Sequence, residues 1–130
     1  MTADGGRSAS AQVQPLVGRS LSQLCVGPHD AQLRFSGAVT VTFEAPITVA
    51  SAPGEPVLAH ELEGLALLVP LLNGDVVAVA VGDDGALGLT IGGTTLRCGP
   101  DPDHEAWQVT GSDVGLVVCG PGGGLDVWHS

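Results

Sequence analysis

Apolar and polar residues alternate between Gln32 and Glu44. Leu33, Phe35, Val39, Val41 and Phe43 are apolar, and Gln32, Arg34, Thr40, Thr42 and Glu44 fall between them. A period of two marks strands with one buried and one wet face. The runs Ala31 to Phe35 and Val39 to Ala45 therefore predict a hairpin. Matching Phe35 with Val39 and Leu33 with Val41 keeps the apolar residues together and requires the loop Ser36-Gly37-Ala38. A two-residue loop would oppose Leu33 to Thr40 and mix the faces.

The same test applies around Gly92-Gly93. A two-residue turn there sets Leu89 opposite Leu96, Leu87 opposite Cys98 and Ile91 opposite Thr94. Upstream, pairing Val81 with Leu87 and Val79 with Leu89 makes Val76 to Val81 a neighbouring strand. Because Val76, Ala78 and Ala80 are apolar too, that strand is expected to be central and covered on both faces. Further strands are predicted at Leu21 to Val26, Glu105 to Thr110, Val114 to Cys119 (apolar on both faces) and Leu125 to His129. In the middle of the chain, Leu58, Leu62, Leu65, Val69 and Leu72 recur at steps of four and three, with Pro56 at a plausible first turn. This predicts one short helix ending near Leu68, where Pro70 stops it. The fold class that follows is mainly β, an antiparallel sandwich or partly open barrel of about 8–9 short strands with one short helix. Met1 to Gln14, with Gly5, Gly6, Ser8 and Ser10 and no apolar run, reads as a disordered leader to a single β-rich domain over residues 15–130.

Composition narrows the function classes. The chain has 130 residues, four of them Arg and none Lys, against 14 Asp and Glu, giving a formal charge of −10. Arg7, Arg19, Arg34 and Arg97 are scattered singly, and there is no Tyr, so nucleic acid is excluded as a partner. With 44% hydrophobic residues the chain can build a core without a metal or disulfide. The longest apolar run, Leu65 to Leu72, is interrupted by Pro70 and is far shorter than the roughly 20 residues of a spanning helix, so no membrane association is expected. Arg used without Lys, one Asn and 20 Gly suggest a GC-rich bacterial gene. Cys25, Cys98 and Cys119 are widely spaced among apolar neighbours and read as buried thiols, in keeping with the cytoplasm.

The densest polar cluster is Asp101-Pro102-Asp103-His104-Glu105, leading into Trp107. Carboxylates and an imidazole at this spacing could converge on a divalent ion, but a solvated turn in which Asp caps nearby amides explains them as well, and no metal or cofactor is expected. Asp83-Asp84-Gly85 lacks the alternating ligands of a calcium loop and reads as a hairpin turn. Gly120 to Gly124 could form a phosphate nest, yet no Lys or Ser/Thr follows it. No Gly-x-Ser-x-Gly elbow and no His-x-x-x-His pair is present. With only Phe35, Phe43, Trp107 and Trp128 as aromatics, each large ring anchors either the core or a contact surface. Trp107 alternates with Val109 and points inward, and Trp128 lies opposite the face of Leu125 and Val127.

Glu105-Ala106-Trp107, the opening segment Leu16 to Arg19, and the C-terminal Trp128 resemble a family of small uncharacterised actinobacterial proteins. The resemblance spans roughly Leu16 to Trp128. That family commonly has Tyr before the Glu-Ala-Trp motif, where this chain has His104. The resemblance implies a shared fold and no mechanism.

The favoured function is a non-enzymatic protein-interaction domain, in one mode a homodimer, whose acidic surface suits a basic target. Its candidate interaction residues are Asp101, Asp103, His104, Glu105, Trp107 and Trp128, and no catalytic residue is assigned. One alternative is a small-molecule-binding β domain with an apolar pocket under the Leu58 to Leu68 segment. A third is a metal-dependent hydrolase built on Asp101, Asp103 and His104.

Overall fold

The computed structural model describes residues 5–28, 30–51, 57–59 and 66–128. Helix α1 (Gly5–Val13) is followed by strands β1 (Leu21–Val26), β2 (Ala31–Phe35), β3 (Val39–Phe43), β4 (Ile47–Ser51), β5 (Val57–Ala59), β6 (Val76–Val81), β7 (Leu87–Ile91), β8 (Thr94–Cys98), β9 (Trp107–Gly111), β10 (Gly115–Cys119) and β11 (Leu125–Trp128). The strands form two antiparallel sheets, a six-stranded one in the order β1-β2-β3-β9-β10-β11 and a five-stranded one in the order β5-β4-β8-β7-β6. The inner faces of both sheets meet in one core, where Leu33, Val41, Val109 and Val117 from the larger sheet join Val49, Leu89 and Leu96 from the smaller. The mainly β, antiparallel class is as the alternation predicts, and the two sheets do not close into a barrel.

The predicted registers hold. Phe35 opposes Val39 and Leu33 opposes Val41. Leu89 opposes Leu96, and Leu87 opposes Cys98. Val81 opposes Leu87, and Val79 opposes Leu89. Keeping one face dry allows only one register for strands of period two.

Three expectations are corrected. The segment read as a disordered leader is helical from Gly5 to Val13, with Ala9 and Val13 fully buried. Its polar residues add to that order, because they bond partly buried main-chain groups of the sheets. Gln14 Nε2 donates to Val79 O at 2.8 Å, the Val81 N–H donates to Ser10 Oγ at 3.2 Å, and Gln12 Nε2 donates to Val114 O. Second, β6 is an edge strand with only one face in the core: Val76, Val79 and Val81 are buried while Val77, Ala78 and Ala80 are exposed. The bulge at Val77 shifts the alternation, which disguised a one-sided strand as a two-sided one. Third, no helix begins at Leu58. Val57–Ala59 is the edge strand β5 on β4, and Ala66–Leu71 is a 3-10 helix containing Pro70. Leu62 and Leu65 lie outside the described residues. The steps of four and three join residues of separate elements, and β4, with Ile47 and Val49 buried, went unread beside them.

Helix α1 packs on β6 and on β11, so it sits where the two sheets would otherwise part. The start of β6 is tied further by Gly18 N–H to Val76 O at 2.8 Å and Val76 N–H to Arg19 O at 2.9 Å. An edge strand left open invites pairing with other chains, and these contacts block it. Replacing both Ser10 and Gln14 by Ala should lower unfolding stability by about 1–3 kcal/mol, the net worth of two such hydrogen bonds. The urea midpoint reads this loss, and light scattering should show the double variant associating.

Candidate functional site

Antiparallel hairpins bring alternate loops to the same end of a sandwich. Here the loops after β1, β3, β6, β8 and β10 share one end, and hydrogen bonds lace the last four together. The Glu44 N–H and Ala45 N–H both donate to Ala106 O, at 2.8 and 3.1 Å, and the Ala106 N–H donates to Cys119 O at 3.0 Å. The Gly122 N–H donates to Asp101 O at 2.7 Å. Below them the Trp107 ring is 1% exposed, and its Nε1–H donates to Gly85 O at 2.9 Å. That bond joins β9 of one sheet to the β6–β7 loop of the other.

Asp30, Glu44, Asp83, Asp84, Asp101, Asp103 and Glu105 all stand on these loops. Among the described residues the one guanidinium paired with them, that of Arg97, meets Asp84 at 3.1 Å across an exposed surface. Desolvation raises the Glu44 carboxyl above its ordinary value of 4.5, and repulsion from Glu105 and then Asp30 raises it further. Since Glu44 is an exposed residue, solvent screens much of that repulsion.

The predicted residues divide accordingly. Asp101, Asp103, His104 and Glu105 are brought to the acidic end. Asp101 Oδ1 accepts the Asp103 and His104 amides at 2.8 and 3.1 Å, the turn-capping geometry that competes with a metal ligand's role. No group of three or more His, Cys, Asp or Glu side chains among the described residues is arranged to hold a metal ion. Trp107 lies beneath this surface and positions it. Trp128 is at the opposite end, 52% exposed on β11. The Gly120, Gly122 and Gly123 amides bond to carbonyls of Gly124, Asp101 and Gly120, so they are not turned toward a phosphate. Asp84 Oδ1 accepts the Ala86 amide at 3.0 Å, as a hairpin turn requires.

Cys98 and Cys119 are buried. Burial pushes the Cys98 thiol up to about 12 and also raises Cys119, to which Asp84 adds. Neither is a nucleophile at neutral pH. The segment expected to roof an apolar pocket includes residues 60–65, outside the described residues. Asp30, Glu44, Asp83 and Asp84 were missed as members of the site. Their signal was topological: each lies beside a strand end whose loop, counted through successive hairpins, falls at the same end as Asp101.

The raised Glu44 pKa has a definite sign. Between 4.5 and its higher native value the folded state holds more protons than the unfolded one, so this group's ionisation lowers stability as pH rises through that window. Glu44→Gln should therefore be slightly more stable than wild type at neutral pH, by well under about 1 kcal/mol because the site is exposed. Denaturant unfolding should show the difference vanishing as pH falls below the ordinary carboxyl range.

No helix among the described residues is long and apolar enough to cross a membrane. No curated protein and no solved structure matches the chain significantly. The model of a family of unknown function, DUF6188, matches residues 12–129, which takes in every described strand, and the chain belongs to that family.

Proposed function

We propose that the chain is a single non-enzymatic protein-interaction domain that presents its acidic end to a basic protein partner. One observation carries this reading: seven carboxylates gather on loops at one end of the sandwich, with that of Arg97 the one guanidinium paired with them among the described residues. Such a one-ended field steers a cationic surface into register and speeds its encounter. Asp101, Asp103, His104 and Glu105 form the rim of the interface, and Trp107 holds that rim from below. The exposed indole of Trp128, at the far end, serves a transient self-association that leaves it open in the dilute monomer. The reading includes a bacterial, actinobacterial origin, a cytoplasmic location, and Glu105-Ala106-Trp107 and Trp128 as marks of the family.

Affinity capture from native extract followed by mass spectrometry tests the proposal. The expected result is a basic protein retained at about 50 mM salt and released at about 500 mM, where screening reaches within a few ångströms. A variant with D101N, D103N and E105Q should lose most of that retention while keeping the wild-type unfolding midpoint within about 0.5 kcal/mol, as surface changes do. A chain that emerges alone at low salt, or a partner held equally by the variant, contradicts it.

A further inference from the structure

The outer face of the six-stranded sheet differs from the acidic end. Residues directly opposed across antiparallel strands share a face. The registers therefore place Gln23, Arg34, Thr40, Thr110, Leu116 and Trp128 in one row across all six strands. Beside it runs a second row, Cys25, Gln32, Thr42, Gln108, Val118 and Asp126. The polar half of this grid lines an open depression of about 500 Å³. That lies within the roughly 300–1,000 Å³ of small-molecule sites.

We propose that this depression binds an acidic oligosaccharide, a sugar chain bearing a carboxylate. Apart from Arg34, the polar side chains of the lining are amides and hydroxyls, from Ser22, Gln23, Gln32, Gln108, Thr40, Thr42 and Thr110, and Phe35, Ala38 and Val39 add apolar surface beside them. Each amide and hydroxyl both donates and accepts hydrogen bonds. An array of that kind matches ligand hydroxyls, which do the same. A polyanion would call for donors throughout, and a cation for acceptors. Arg34 is the one cation in the lining, and it specifies a single anionic group. Among the described residues its guanidinium has one hydrogen-bond acceptor, Gln32 Oε1 at 3.2 Å, and no carboxylate partner. The fork of a guanidinium suits a carboxylate held in two bonds.

The protein's own acidic end does not cancel Arg34. Asp30 lies four residues before Arg34, about 13 Å at strand rise, and Asp126, on the same face, stands four strands away, about 19 Å; both distances exceed the screening length of about 8 Å at physiological salt. The rest of the face adds an apolar platform. Leu116 and Val118 lead to Trp128, two strands or about 10 Å from Thr110. The C–H face of a sugar ring stacks on such an indole. An extended peptide is the less suitable occupant, because peptides pair with the main chain at a sheet edge, and this depression lies on a sheet face.

The test is amide and side-chain NMR of the full chain with four probes. These are a galacturonic acid trisaccharide, a tetrasaccharide of alternating glucuronic acid and N-acetylglucosamine, neutral maltotriose, and triglutamate as a peptide carboxylate. At least one uronate sugar should shift Gln32, Arg34, Thr40, Gln108 and Thr110 and bind more tightly than maltotriose. Arg34→Gln should weaken that sugar about tenfold, the effect of losing a charge-assisted bond, and leave maltotriose unchanged. Trp128→Ala should weaken both sugars, since it removes stacking. Both positions are exposed, so the variants should fold, and their spectra away from the face confirm it. Absence of shifts with both uronate sugars at about 10 mM, a free energy weaker than about −3 kcal/mol, overturns the proposal. So do shifts confined to other surfaces, an R34Q variant that binds as wild type does, or triglutamate binding as tightly as the sugars.

Discussion

The indole N–H of Trp107 and the carbonyl of Gly85 meet at 2.9 Å between the two sheets, and the arrangement of the acidic end depends on that meeting. Trp107 is the largest fully buried side chain, and its one polar atom needs a partner there. Leaving either group unsatisfied in the core would cost about 1–3 kcal/mol. The carbonyl belongs to a tight turn whose closeness to the β10–β11 loop only glycines permit. Gly85 has φ +91°, and a Cβ there would come within 2.8 Å of Gly123 O; Gly123 has φ +93°, and its Cβ would lie 2.5 Å from Asp84 O. Because Gly122 in turn bonds Asp101 O, the β6–β7, β8–β9 and β10–β11 loops form one connected body.

Electrostatics alone would scatter these loops. Desolvation, and then repulsion from Glu105 and Asp30, raise the Glu44 pKa, and Arg97 pairs only with Asp84. The loops stay together because each ends a strand whose inner face is buried, and because their main-chain groups are paired with each other. The field at that end is a by-product of a hydrophobic fold, held by contacts that involve few of the charges themselves. The opposite end carries its own fastening, where Arg19 donates to Pro15 O, Ser36 O and Asp113. That leaves the acidic end with the greater excess of charge.

Much of this was legible in the chain. Three hairpin registers followed from the rule that apolar residues oppose one another, since a slip of one residue turns each side chain over. What escaped was set by tertiary contacts. Gly5–Val13 has little intrinsic helicity, and its order comes from burial of Ala9 and Val13 and from Ser10, Gln12 and Gln14 reaching main-chain groups that no local pattern reveals. The bulge at Val77 made an edge strand look central. At the site, Asp101, Asp103 and Glu105 could be singled out by density along the chain, whereas Glu44 and Asp84 join them only through strand order. Trp107 was read as inward-facing, but a main-chain carbonyl as its partner leaves no side-chain signature. The outer face was likewise hidden, because its rows exist only once six strands are placed side by side.

Hydrogen exchange of the two indole N–H protons tests the central claim most directly, since the chain has two tryptophans and each gives a separate NMR signal. If Trp107 fastens the acidic end, its indole proton exchanges only through large-scale opening, with protection within about tenfold of the slowest β9 amides, while the exposed Trp128 indole exchanges freely. A Trp107 indole that exchanges as fast as that of Trp128 would contradict the account.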